Sequence, residues 1–179
     1  MAKGLAWEEL LKLNPKNSPN VKFLSDEYSV DVPGRRIISL SCNIPAKDFL
    51  SVLILHYLIQ GIKGLPQLST EWLTFRELSG VEGYAAAFRK RSIEPLIRKY
   101  GSNPQGIFSA QNHMEINKLE EADAAMIFEA FKRVPVLVKI WKGDEEFGPE
   151  ANIFFDRSIT NIFCTEDIVV LAGLVAAAL

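Results

Sequence analysis

The feature that most constrains this chain is an apolar stretch that runs from Phe49 to Ile62 and is interrupted mainly by His56 and Gln60. It lies in a predicted helix over 44–63, for which Asn43 is a suitable cap. The stretch is shorter than the roughly 18 to 20 residues that span a bilayer. Its polar residues change sides along the helix, which is typical of a helix that passes through a core. We therefore expect a buried central helix with the rest of the chain packed around it.

Alternating apolar residues predict strands on both sides of this helix in the sequence. Two pairs of segments show the pattern: 21–32 with 36–41, and 136–141 with 151–156. Pro33-Gly34 supplies a turn between the first pair, and residues 142–150 connect the second. Each pair is predicted to form an antiparallel hairpin.

The other segments have helical or irregular patterns. We predict helices over 6–13, 80–92, 93–100 and 120–133, a last helix capped by Thr165, an irregular segment over 65–80 and a weak strand over 108–116. Ser79 and Glu82 have the spacing of a capping box. Strands at both ends with helices between them indicate an α+β fold, with antiparallel hairpins packed against the central helix and further helices. We expect one domain over residues 1–179, in which residues 1–20 form an N-terminal helix and loop.

Composition and charge exclude several classes of protein. The chain has 20 Lys and Arg against 22 Asp and Glu, so the net charge of -2 is unlike that of a nucleic-acid binder. Glu8 and Glu9 interrupt any apolar region of a secretory signal, and no segment is long enough to span a membrane, so we expect a cytoplasmic protein. The cysteines, Cys42 and Cys164, stand alone, so we expect no self-contained zinc or iron–sulfur site. Any other cofactor and the oligomeric state stay open.

The chain lacks the phosphate-binding, nucleophile-elbow and metalloprotease motifs. One polar cluster does stand out in the irregular segment: Trp72, Phe75, Arg76 and Glu77, which we call the aromatic–arginine segment. Flat apolar side chains beside a planar donor suit the wall of a pocket. The alternative is that both aromatics belong to the core and Arg76 and Glu77 form a surface pair. His56, on the polar edge of the central helix, is a further candidate.

A second cluster, Asp144, Glu145, Glu146 and Phe147, lies in the predicted connection of the second hairpin, and we call residues 143–147 the acidic loop. Adjacent carboxylates repel one another, and a hard cation or a basic partner would relieve that repulsion. Asp156, at the end of the hairpin, is expected to approach the same tip. The alternative is a loop that is simply solvated, and the spacing fits no known metal loop.

Several motifs together resemble a known family. They are His56-Tyr-Leu, Trp72-Leu-Thr-Phe75-Arg76-Glu77-Leu, Tyr84, Phe88, Glu94-Pro95-Leu, Val134-Pro135-Val, Trp141-Lys-Gly-Asp144-Glu145-Glu146-Phe147, Phe155-Asp156 and Thr165-Glu166-Asp167. The chain resembles domain of unknown function 3786, an uncharacterised family, from about Tyr28 to Leu174. The resemblance implies a protein of anaerobic bacteria or archaea and carries no established activity. Some members carry a cysteine-rich iron–sulfur segment, which this sequence lacks, so the resemblance does not extend a redox role to it.

The leading hypothesis is an accessory module that binds a small molecule or a protein partner through Trp72, Phe75 and Arg76, with the acidic loop as a second contact. The alternative is a hydrolase or transferase that holds a divalent cation on Asp144, Glu145, Glu146 and Asp156. An enzyme would require these carboxylates to converge in a cleft.

Overall fold

A computed structural model describes residues 2–15, 19–110 and 114–179. The helices are α1 (Ala2–Lys12), α2 (Asp48–Lys63), α3 (Ala85–Phe88), α4 (Glu94–Tyr100) and α5 (Thr165–Ala178). The strands are β1 (Asn20–Phe23), β2 (Asp26–Asp31), β3 (Arg36–Ser39), β4 (Trp72–Thr74), β5 (Ile116–Leu119), β6 (Ala124–Phe131), β7 (Val134–Trp141) and β8 (Glu150–Asp156). Short 3-10 turns at Phe75–Glu77, Pro104–Ala110 and Arg157–Asn161 and a π-helical turn at Arg89–Ile93 complete the described chain.

The strands form two antiparallel sheets, which confirms the α+β class. The smaller has the order β1-β2-β3 and the larger the order β4-β8-β7-β6-β5. Both predicted hairpins are present, as the pairs β2–β3 and β7–β8. The predicted strand over 21–32 is in fact two strands, because the chain turns at Leu24, whose φ is 52°.

The central helix α2 is buried as predicted, with Leu53, Ile54 and Leu55 fully enclosed. The predicted start at Ile44 and the Asn43 cap are wrong, since α2 begins at Asp48. The residues before it are held in an extended conformation by β3, to which Ala46 N donates a hydrogen bond at Ile37 O (2.8 Å). No described helix is long and apolar enough to cross a bilayer.

The predicted helix over 120–133 is wrong, because its core is the strand β6. Ala, Met and Glu in this segment are good helix formers. β6 nevertheless lies between β5 and β7, and six of its eight residues are buried. Two-sided burial inside a sheet outweighs the small differences in helix propensity.

The predicted helix from Gly80 to Ser92 begins later than expected, at Ala85, and continues through the π-helical turn into α4. The capping box is formed by Thr74 and Glu77, so the Ser79–Glu82 interpretation is wrong. Thr165 does not cap α5 either. Its Oγ1 donates to Ser79 O (3.1 Å), and Cys164 occupies the N-cap position.

The weak strand predicted over 108–116 is also wrong for most of its length. Pro104–Ala110 forms a 3-10 turn and only Ile116 begins a strand. Residues 111–113, including His113, lie outside the described residues.

Candidate functional site

A groove of about 770 Å³ lies where three parts of the fold meet. One wall is the end of β4 and the following turn, residues 74–76. The second wall comes from α3, the π-helical turn and α4, within residues 85–97. The third is the start of β8 with the two residues before it, 148–152. π-helical turns are rare and are frequently found at functional sites, which makes this groove the leading candidate.

Stacked aromatic rings form the base of the groove. The rings of Phe75 and Phe88 lie 4.1 Å apart at an angle of 7°, and both residues are buried. This stacking joins the 3-10 turn to α3, so Arg76 leaves the turn at a defined position. Sequence analysis placed Phe75 either in a pocket wall or in the core, and the structure places it in both.

Glu77 builds the turn that presents Arg76. Its Oε2 accepts hydrogen bonds from Thr74 N (2.7 Å) and Thr74 Oγ1 (2.7 Å). These bonds hold the pKa of Glu77 below its usual value. Arg76 is exposed and forms no ion pair with any described carboxylate, so the alternative of an Arg76–Glu77 surface pair is not observed. A second guanidinium, that of Arg89, lines the opposite wall with its Nε 3.7 Å from Glu94 Oε1.

The acidic loop is closed by its own first carboxylate. Asp144 Oδ1 accepts hydrogen bonds from Glu146 N (2.9 Å) and Phe147 N (2.7 Å), which lower the pKa of Asp144. Glu145 and Glu146 point to solvent, and Phe147 is 70% exposed.

The residues after the loop pack closely on their surroundings. A Cβ on Gly143 would lie 2.7 Å from Pro149 N, and one on Gly101 would lie 2.8 Å from Pro149 Cβ. Both distances are too short for any side chain, so glycine is required at each position. The segment that follows the acidic loop is thereby held at the end of α4. The structure thus brings Phe75 and Arg76 to the same groove as the segment that follows this loop, while the side chains of the acidic loop are not among the lining residues.

Asp156 does not approach the acidic loop, and that expectation is wrong. It pairs with Trp72 at the far end of β8 from Glu150, about 20 Å away at roughly 3.3 Å per residue. The carboxylate is buried and accepts hydrogen bonds from backbone nitrogens of Ser69 (3.0 Å), Thr70 (2.7 Å) and Ser158 (2.9 Å). Burial raises the pKa of Asp156, but these bonds outweigh that effect and hold it below its usual value.

The remaining predicted candidates are Trp72 and the carboxylates of a possible metal site. Trp72 is half-buried on β4 and does not line the groove. Within the described ranges, no three His, Cys, Asp or Glu side chains are placed to hold a metal ion.

His56 belongs to a separate polar contact between α2 and α5. Its Nδ1 lies 2.7 Å from Asp167 Oδ2, and the Cys164 thiol donates to the same oxygen over 3.3 Å. The bond to Asp167 raises the pKa of His56, and burial raises the pKa of the Cys164 thiol. An activated cysteine needs a lowered pKa and a base free to take its proton. This arrangement is therefore a tether between helices and lacks the features of a nucleophilic site.

Sequence reasoning missed the wall of the groove formed by Arg89, Ile93 and Ile97. Arg89 opens a basic run that fans around a helix, and a solvated surface is the usual interpretation of such a run. Only the π-helical turn and the stacking of Phe88 on Phe75 place Arg89 opposite Arg76.

Comparison with known proteins identifies the family of the chain. A family model with the description Domain of unknown function (DUF3786) matches residues 5–178, which is nearly the whole chain. No curated protein and no solved structure matches it.

Proposed function

The chain belongs to the DUF3786 family, and from that premise we propose that the domain is a binding module whose site is the groove. The ligand is a small molecule or a segment of a partner that carries a carboxylate or a phosphate. One observation carries the proposal: Phe75, Arg76 and the segment after the acidic loop line the same groove.

The size and lining of the groove support binding. A volume of about 770 Å³ falls within the roughly 300 to 1,000 Å³ of ordinary ligand sites. Apolar side chains of Phe88, Ile93 and Ile97 provide one wall, and Arg76 provides a planar donor. An arginine of this kind binds carboxylate and phosphate oxygens in pairs of parallel hydrogen bonds.

The charges in the groove favour an anion on one side. Arg76 and Arg89 face the groove from two walls, and Glu150 faces it from the third. Arg89 is partly balanced by Glu94, whereas Arg76 forms no ion pair with a described carboxylate. An anionic group is therefore expected next to Arg76.

Binding fits the groove better than catalysis does. Its lining offers Arg76, Arg89 and Glu150 as titratable groups, and among the described lining residues there is no histidine or cysteine to act as a general base or nucleophile. The carboxylates of the hydrolase or transferase alternative lie at opposite ends of β8, so they do not converge in a cleft as that alternative requires.

The test is a thermal-shift screen with inorganic phosphate, aromatic carboxylates and nucleotides, because a ligand that binds only the folded state raises the melting temperature. Arg76→Ala is the variant. Arg98→Ala is the matched control, since Arg98 is an exposed arginine of α4 that does not line the groove. We expect anions to stabilise the wild type and Arg98→Ala but not Arg76→Ala. Equal stabilisation of all three proteins would place the site elsewhere.

A further inference from the structure

The groove carries charges of both signs. Arg76 lines it from the turn after β4, and Glu150 lines it from the start of β8. Both residues are exposed, and neither forms an ion pair with a described residue. Arg89, the third charged residue of the lining, already lies 3.7 Å from a carboxylate oxygen of Glu94. The groove therefore presents one positive and one negative group that a ligand can pair with.

The positions of Arg76 and Glu150 keep the two charges apart. Thr74 pairs with Phe154, and Glu150 lies at the other end of β8 from that pair. Glu150 is therefore about 13 Å along the strand from Phe154, at roughly 3.3 Å per residue. Arg76 belongs to the 3-10 turn that follows Thr74. Two long side chains at these positions can reach one ligand from different sides without meeting each other.

The helix side of the groove is apolar. Ala85 and Ala86 of α3 are exposed there, while Ile97 of α4 and Ala151 of β8 are half-buried. The alanine side chains are short and leave room above them for an apolar group. Placing an aliphatic group on this surface removes apolar area from water, which favours binding.

We propose that the groove binds a free α-amino acid with an aliphatic side chain, in its zwitterionic form. This proposal rests on the proposed function and names the class of ligand. The carboxylate of the amino acid pairs with Arg76, and its ammonium group pairs with Glu150. The aliphatic side chain lies on the surface of Ala85, Ala86 and Ile97. Each of the three walls of the groove thus meets one of the three groups on the ligand's Cα.

The charges explain why a zwitterion fits better than a simple anion. A ligand with only a carboxylate pairs with Arg76 but brings a second negative charge into the groove that Glu150 lines, and like charges repel. A free α-amino acid carries both charges on one Cα, with the nitrogen and the carboxyl carbon about 2.5 Å apart. It therefore compensates Arg76 and Glu150 together. A residue inside a partner's chain lacks both of these charged groups, so the lining favours the free molecule.

The probe is L-leucine, and three analogues each lack one of its groups. 4-Methylpentanoate lacks the ammonium group, 3-methylbutylamine lacks the carboxylate and glycine lacks the side chain. NMR titration of the labelled protein at low ionic strength measures the affinities, because salt screens exposed charges. We expect L-leucine to shift the amide resonances of Ala86 and Ala151. Each analogue should bind at least about tenfold more weakly, because it loses one ion pair or the apolar contact.

Glu150→Gln is the matching change in the protein. Glutamine has nearly the shape of glutamate without its charge, and Glu150 is exposed, so the variant is expected to fold. It should lose at least about tenfold in affinity for L-leucine. Its affinity for 4-methylpentanoate should stay the same or rise, because a repulsion is removed. Glu145→Gln is the control, since Glu145 does not line the groove, and it should leave both affinities unchanged.

The outcomes separate this inference from the proposed function. If 4-methylpentanoate binds as tightly as L-leucine, or if Glu150→Gln leaves the affinity for L-leucine unchanged, the amino acid is wrong, although anion binding through Arg76 can stand. The same holds if phosphate binds through Arg76 and L-leucine does not bind. If glycine binds as tightly as L-leucine, the aliphatic class is wrong. If 3-methylbutylamine binds as tightly as L-leucine, or if nothing binds, both proposals fail.

Discussion

Asp156 offers the most direct test of how this fold is held together. The carboxylate is 3% exposed and fastens two segments to the end of β8: the chain before β4, through Ser69 and Thr70, and the turn after β8, through Ser158. Thr70 has a φ of 62°, a conformation that this contact helps to hold. Replacing Asp156 with alanine is therefore expected to destabilise the empty domain.

The magnitude follows from the three backbone donors that lose their acceptor. Ser158 is buried, so its N–H would lose a charge-assisted bond worth about 1.5 to 3 kcal/mol. Ser69 and Thr70 are exposed, so water can replace the carboxylate there, and each bond contributes about 0.5 to 1.5 kcal/mol. The total loss is about 2.5 to 6 kcal/mol, a large part of the about 5 to 15 kcal/mol that stabilises an ordinary domain.

Urea unfolding at pH 7 measures this loss, with Asp48→Asn as control. Asp48 is an exposed aspartate paired with Lys3 (2.9 Å), and such exposed pairs contribute little to stability. Because the folded pKa of Asp156 is lowered, its contribution is present above the unfolded pKa and is lost as the pH falls through the folded value. The wild type should therefore lose more stability than Asp156→Ala below about pH 4. A loss under about 1 kcal/mol at pH 7, or parallel acid profiles, would refute the structural role.

Three further predictions follow from the burial and charges. The folded pKa of His56 is raised, so its stabilising contribution is present below about pH 6.5 and is lost as the pH rises through the folded value. Urea unfolding at pH 6 and pH 9 should show the wild type losing stability relative to His56→Ala, and a gain would contradict the tether. Leu53→Ala should cost about 2 to 5 kcal/mol because Leu53 is fully enclosed, whereas Leu58→Ala should cost less because Leu58 is only half-buried. Equal costs in thermal or urea unfolding would oppose this arrangement of α2. Asp144→Ala should lower the midpoint of urea unfolding because it removes the acceptor of two loop bonds, while Glu145→Gln should leave the midpoint nearly unchanged. The reverse order would show that the loop is not closed by Asp144.

The structure changes the interpretation of the aromatic–arginine segment and of the acidic loop. Glu77 and Asp144 looked like candidates for a ligand, and each is instead the acceptor that closes its own turn. Arg76 remains a candidate binding residue because the turn leaves its side chain exposed beside the groove. Glu145 and Glu146 stay as exposed charges near the mouth of that groove, where an effect on the rate of association with a charged partner is the natural expectation.

The sequence by itself determined the elements whose pattern is local and strong. The hairpin of β7 and β8 follows from alternation over 136–141 and 151–156, and the burial of α2 follows from an apolar surface on nearly all its sides. Both signals arise from periodicity, which is a property of neighbouring residues. The family resemblance was also available from the motifs, and the match over residues 5–178 confirms it.

The tertiary structure decided whatever depends on residues far apart in the chain. Ala124–Phe131 has the composition of a helix and becomes a strand because β5 and β7 flank it. Asp167 meets His56 across 111 positions, and Asp156 is fastened to Ser69 and Thr70 across more than 80. β4 is only three residues long because the chain turns away after Thr74 into the 3-10 turn. Pairing and burial between distant segments contribute more free energy than local propensity does, and no window of sequence contains that information.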